Sequence, residues 1–299
     1  MAHPDTDLIA IASTGLSAEI SPNGAELMRL TTADGRELLW NGDPAWWAAR
    51  APILFPIVGS LKHEHHNVDG RAYSLPRHGF ARHCRFAVAA ASPTAVTFRL
   101  EANETTLAAY PYRFRLDVIF AIDGATLTTT GRVENLDDRP IPVAFGYHPA
   151  FLWPLPGAGA RAEQVVEFET DEPAPAHRID KAGLVIYQET ASRIVDRRMA
   201  LPDNLFDGDA LLYLSPSSRS VRFGAASGKG TSLQVDFHGM PHLGIWAKPG
   251  GSPFLCIEPW QGYASPEGFA GPLDQKPGSI TLAPGAQAAF TMAATVVEN

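Results

Sequence analysis

Two short segments, Gly146-Tyr147-His148-Pro149 and Cys256-Ile257-Glu258-Pro259-Trp260, share an unusual arrangement. Each sets one proton-transferring side chain directly before a proline, at the end of an apolar run that reads as a strand. A residue before proline is pushed out of the helical region into extended geometry, so both backbones are restrained where proton transfer needs restraint. One imidazole and one carboxylate with aromatic neighbours suffice to move protons on a cyclic hemiacetal. The ring opens when the anomeric hydroxyl loses a proton and the ring oxygen gains one. Rotation about C1–C2 and closure on the other face then reverse both transfers. That chemistry needs no nucleophile, metal or redox cofactor, and each of two well-placed groups supplies about 10²–10⁴-fold. A carboxylate raised toward neutrality by an apolar wall makes a suitable base. In a strand, Cys256 shares the face of Glu258.

The elements that must hold these groups read as strands. Phe114, Leu116, Val118, Phe120 and Ile122 alternate with polar residues, and Leu127, Thr129, Gly131 and Val133 repeat the pattern. Asp123-Gly124 lies between the two as a two-residue hairpin signal. Val96, Phe98 and Leu100 form a shorter example. Turn pairs recur at Asn23-Gly24, Asp34-Gly35, Asp69-Gly70 and Asp207-Gly208, a punctuation that predicts an all-β sandwich or barrel. Helical signals are short: Asp43-Pro44 predicts a turn through Trp46 and Trp47, and Asn103 opens another through Leu107, stopped by Pro111. No repeat and no linker divides the chain, although residues 171–177 are rich in Pro and Ala, so residues 1–299 are expected to form a single domain.

Composition narrows the functions. A chain of 299 residues, 45% of them hydrophobic, can bury a sizeable core. A net charge of −8 without a basic stripe excludes a nucleic-acid partner. Two cysteines, Cys84 and Cys256, are too few for a disulfide framework and fit a reducing compartment. No signal peptide is visible in residues 1–5, and no apolar run approaches the ~18 residues of a membrane span. A soluble, cytoplasmic protein is expected.

His63, Glu64, His65 and His66 invite a metal reading, but they precede the Asp69-Gly70 turn and lack zinc-type spacing; a solvated hairpin is expected and no metal site. Cys256 is not expected to act as a nucleophile, because Glu258 already accounts for the chemistry. Trp46, Trp47 and Trp153 read as core or rim, whereas Trp246 and Trp260 are candidates to pack against the C–H face of a sugar.

Three segments read together carry more. Pro76-Arg77-His78-Gly79-Phe80-Ala81-Arg82, Phe145-Gly146-Tyr147-His148-Pro149 and Cys256-Ile257-Glu258-Pro259-Trp260, with Ile53-Leu54-Phe55-Pro56 upstream, resemble the aldose 1-epimerase (galactose mutarotase-like) family in its shorter bacterial branch. Gly24-Ala25-Glu26-Leu27 and Leu243-Gly244-Ile245-Trp246 add to the likeness, which covers roughly residues 20–290. The resemblance implies an antiparallel β-supersandwich with few short helices, a sugar cleft on one face and interconversion of aldose anomers. It implies His148 as the acid at the ring oxygen, Glu258 as the base at the anomeric hydroxyl and His78 as a second histidine that orients the sugar. The family's site aspartate falls at Asp209 or at nearby Asp207. Arg50 and Arg82 match positions where relatives hold a basic residue near the substrate. Ser60 stands where some relatives carry arginine.

The partner expected is a small-molecule sugar, with no cofactor and with the chain a monomer or homodimer. Alternatives are a hexose-6-phosphate 1-epimerase, for which Arg50, Arg77 and Arg82 offer positive charge, and a non-catalytic carbohydrate-binding protein of the same fold. A glycoside hydrolase ranks below these, since it normally needs two carboxylates at a defined separation.

Overall fold

The computed structural model describes residues 7–173, 175–190 and 193–299, with the side chains of 188–190 excepted. Residues 1–5, read above for a targeting signal, lie outside them, as does one residue of the 171–177 stretch. No helix among the described residues is long and apolar enough to cross a membrane.

Alternation of side chains produces the expected strands. Phe114–Asp123 and Thr126–Asn135 pair antiparallel with Asp123 opposite Thr126. The two-residue loop is therefore Gly124-Ala125, one residue later than the sequence signal. Gly124 takes a positive φ of 53° there, the conformation that a tight hairpin asks of its first loop residue. The short helix Glu104–Ala109 is capped by Asn103, whose side chain accepts from the backbone N–H of Thr105 and Thr106 at 3.0 and 3.1 Å. At Asp43-Pro44 the chain makes only a turn, with the N–H of both Trp46 and Trp47 donating to Asp43 O.

Two large antiparallel sheets carry the molecule, one of ten strands and one of eight. A three-stranded N-terminal sheet and two strand pairs complete the described set. The eight-stranded sheet runs in the order Val185–Thr190, Ala176–Ile179, Leu211–Tyr213, His242–Trp246, Phe254–Gln261, Phe145–Tyr147, Ile53–Leu54. Ala150–Leu152 also pairs with Phe254–Gln261. One continuous buried apolar cluster runs from Ile11 to Val296 and fills the space between the large sheets. Phe145 stacks on Phe290 across that space at 5.2 Å and 8°. Phe168 meets Tyr213 edge-on in the same layer.

Tyr147 ties the sheets together with a polar bond inside this apolar layer. Its hydroxyl accepts the Gly131 N–H at 2.8 Å and lies 2.6 Å from Phe290 O and 2.9 Å from Thr129 O, to one of which it donates. A buried N–H left without an acceptor costs about 1–3 kcal/mol. Tyr147→Phe keeps the ring and removes that acceptor, so unfolding free energy should fall by about that amount in a urea titration. A loss below about 0.5 kcal/mol would show that the tie carries nothing.

Candidate active site

The site begins with an interruption in the eight-stranded sheet. Phe254–Gln261 is bordered on one side by His242–Trp246, paired without a break from Trp246↔Cys256 to His242↔Trp260. On its other side the ladder is split. Ala150–Leu152 pairs with residues 254–256 and Phe145–Tyr147 with residues 260 and 261, leaving His148-Pro149 opposite the gap. Ile257 donates to Pro149 O across it at 3.4 Å. Backbone groups alternate sides along a strand, so the nitrogen of Pro259 faces the same way as that of Ile257. Pro149 and Pro259 thus remove two donors that would otherwise close the ladder. Both prolines keep the strands extended while preventing pairing at the place where His148 and Glu258 project.

Those two side chains meet in the gap. His148 Nε2 lies 3.2 Å from Glu258 Oε2, with the residues 9% and 2% exposed. Trp47 covers the imidazole at 4.9 Å, and Trp246 meets its edge at 5.8 Å. Burial opposes charge on both partners. It pushes Glu258 well above its ordinary 4.5. It pulls His148 down from 6.5 to about 3, with Arg77 and Arg82 adding to the effect. Each partner is therefore held toward its neutral form.

A cavity of about 260 Å³ opens above the pair. That is roughly nine water volumes, the space of one small ring rather than an oligosaccharide. The sheet contributes Glu258, Trp246, Trp260 and Leu212, and the break within it His148, while loops bring Trp47, Arg77, His78, Gly183 and Asp209 and a 3-10 turn brings Arg82. Trp260 seats flat because both strands beside it carry glycine. A Cβ at Gly244 would meet the indole at 2.3 Å and one at Gly146 at 2.6 Å. The glycines of the Gly-Tyr-His-Pro and Leu-Gly-Ile-Trp motifs thus make room for the indole that lines the cavity.

His78 is fixed by its neighbours. Its backbone has φ 68°, and its N–H donates to Gly59 O at 2.9 Å. Gly59 N–H in turn donates to Nδ1 at 3.1 Å, and Arg77 Nε directs its N–H at Nε2 at 3.3 Å, so the ring is held between two donors. Burial and the nearby cationic groups hold His78 well below its ordinary value, hence neutral. Asp209, at φ 70°, lines the cavity, and its loop is held by Arg178, which donates to the carbonyls of Asp209 and Leu205. Asp207 is exposed and lies away from the cavity.

Of the residues expected from sequence, His148, Glu258, His78, Asp209, Arg82, Trp246 and Trp260 all line this cavity. Arg50 does not: its guanidinium donates to Met28 O at 2.7 Å, and its backbone N–H is held by Glu26. The Gly24-Ala25-Glu26-Leu27 motif is thereby a structural clamp, because Arg50 O accepts the N–H of Ala150 beside the site. Trp47, read as core or rim, lies on His148, and Arg77 joins Arg82 at the cavity. The His63–His66 segment forms a turn and hairpin as expected, except that His66 is buried, with Nε2 2.8 Å from Ala109 O.

A family model described as aldose 1-epimerase matches residues 7–293. The chain belongs to the aldose 1-epimerase family. Among members, the chromosomal and plasmid LacX proteins of Lactococcus lactis are 32% identical over 278 residues, covering 90% of this chain and 92% of theirs. The fold is that of galactose mutarotase-like proteins. A galactose mutarotase related enzyme from Lactobacillus acidophilus superposes with a TM-score of 0.88 at 28% identity, covering 98% of both chains. A galactose mutarotase-like protein from Lactobacillus casei does so with 0.87 at 28% identity, covering 97% of this chain and all of that one.

The opposed shifts of His148 and Glu258 predict a stability profile for this epimerase-family chain. The contribution of His148, whose value is lowered, is present above 6.5 and is lost as pH falls toward 3. That of Glu258, whose value is raised, is present below 4.5 and is lost as pH rises. The slopes cancel between those values, and stability falls on either side by about 1.4 kcal/mol per pH unit. The difference in unfolding free energy between wild type and Glu258→Gln isolates the carboxyl and should decline as pH rises above about 4.5. A flat difference would mean that Glu258 is ionised in the folded protein.

Proposed function

We propose that this protein is an aldose 1-epimerase acting on a free aldose. The observation that carries the reading is the buried 3.2 Å contact of His148 with Glu258 at the floor of a ring-sized cavity. O1 and O5 of a pyranose are bonded to the same carbon, so the base for one and the acid for the other must stand within a few ångströms of each other. In the reactive form a proton sits on His148 and the carboxylate is bare, with the same proton count as the pair of neutral groups. Glu258 takes the O1 proton while His148 Nε2 gives its proton to O5, and the C1–O5 bond breaks to leave the open-chain aldehyde. After rotation about C1–C2, O5 attacks the other face of C1, returns its proton to His148, and O1 recovers a proton from Glu258. Burial favours both roles, making the carboxylate a stronger base and the imidazolium a stronger acid. His78, Arg77 and Asp209 offer polar groups to sugar hydroxyls, and Trp246 and Trp260 offer apolar walls.

Polarimetry on fresh α-glucose and α-galactose tests this. Glu258→Gln should slow mutarotation by at least about 10²-fold with the fold and sugar binding retained, and His148→Asn should lower kcat more than it raises KM. Wild-type binding without acceleration would make the protein a carbohydrate binder instead.

One observation favours a second substrate. Among the described residues, neither Arg77 nor Arg82 has a carboxylate partner, although both line the cavity. A phosphate on the sugar would supply one, and a charged hydrogen bond of this kind contributes about 1.5–3 kcal/mol. The comparison is kcat/KM for glucose against glucose 6-phosphate. A preference for the phosphate of about tenfold that collapses in Arg82→Ala would move the assignment to the sugar-phosphate epimerases.

A further inference from the structure

The acid–base pair has a third neighbour that proton transfer does not use. Cys256 is fully buried, is free of any disulfide and lies two residues before Glu258 on the same strand face. The imidazole of His148, the thiol of Cys256 and the carboxyl of Glu258 converge so that one ligand atom from each lies within 4.8 Å of the others. We infer that these three residues form a binding site for a thiophilic divalent cation of the zinc type, and that its occupation inhibits the enzyme. The site stands on its own geometry; only the inhibition rests on the acid–base reading.

Four observations support it. The donors are one nitrogen, one sulfur and one oxygen, a set that suits zinc and leaves magnesium and calcium, which take oxygen ligands, without a site. Tetrahedral zinc with ordinary bond lengths places one sulfur, one nitrogen and one oxygen about 3.3–3.6 Å apart. The existing 3.2 Å between Nε2 and Oε2 already matches that edge, and closure onto the ion requires at most about 1.3 Å of further approach. His148 Nδ1 is buried without a hydrogen-bond partner, so the ring can carry its proton there and present the Nε2 lone pair. His148 and Glu258 also line the cavity, which gives a hydrated ion an entry path and leaves its fourth position for water. The cation takes the place of the carboxyl and thiol protons. Its two charges are balanced by the carboxylate and the thiolate, whose protons pass to solvent. Both catalytic groups are then ligands, and neither can exchange a proton with sugar. By contrast, the His63–His66 segment forms no such group among the described residues.

Cobalt(II) is the direct probe. Added to the metal-free protein, it should bind in a one-to-one ratio with tetrahedral visible bands and a near-ultraviolet thiolate-to-cobalt transition. Zinc should displace it. Cys256→Ala and Cys256→Ser should lose the thiolate transition, and Cys84→Ala should keep it. Cobalt held by surface histidines produces no such transition. In mutarotation assays, zinc should inhibit and saturating sugar should protect. The zinc concentration for half inhibition should rise about tenfold or more in the Cys256 variants, each compared with its own metal-free rate. Absence of the thiolate transition in the wild-type protein, or its survival in Cys256→Ser, would overturn the site whatever reaction the protein catalyses. A thiolate site on a protein that does not accelerate mutarotation would retain the metal inference and remove the epimerase reading. Zinc binding without inhibition would show that the ion leaves the acid and base free.

Discussion

A carboxyl and an imidazole placed in contact and almost wholly buried have lost most of the hydration that normally stabilises their charges. Where a proton rests on such a pair depends on the distance between them, and the backbone must set that distance. Here His148 and Glu258 lie on adjacent strands at a break in the hydrogen-bond ladder, and strand spacing of about 4.7–4.9 Å fixes how far apart their Cα traces run. The rest of the structure follows from keeping that break open without loosening the sheet. Pro149 and Pro259 withhold donors from the gap, the unbroken pairing with His242–Trp246 holds one flank, and Tyr147 anchors the other flank to the opposite sheet.

The packing around the break shows how tightly the motifs are coupled. Gly146 precedes Tyr147 and His148, and Gly244 sits opposite Glu258 in the neighbouring strand. Both are glycines because the indole of Trp260 occupies the space a Cβ would take. Residues from three strands therefore specify one surface: two by lacking a side chain and one by supplying a large flat one. Glu26, far earlier in the chain, reaches the same region by capping the N–H groups of Arg50 and Ala51 at 2.7 and 2.9 Å.

Much of this was legible in the sequence because strands have a period of two and prolines restrict their neighbours locally. The hairpin of Phe114–Asp123 with Thr126–Asn135, the Asn103 cap and the shared face of Cys256 and Glu258 all follow from residues close in the chain. What escaped depends on contacts between distant residues. Trp47 reaches His148 from a loop about a hundred residues away. Arg50 was expected at the substrate because its position matches one where relatives hold a basic residue, whereas the carbonyl of Met28 that engages it is not visible in sequence. The choice between Asp207 and Asp209 turns on a left-handed backbone at residue 209 and on Arg178 gripping that loop. His66 turned inward because Ala109, at the end of the short helix, offers it a carbonyl.

The division of the cavity lining has an evolutionary consequence. Its floor belongs to the sheet, where each side chain is locked by ladder register and by the opposing sheet. Its rim belongs to loops that carry Trp47, Arg77, Arg82, Gly183 and Asp209. Insertions and substitutions in surface loops leave a sheet's register undisturbed. A lineage built on this plan can therefore drift in what it recognises while its reaction is inherited unchanged, and the two properties need not diverge at the same pace.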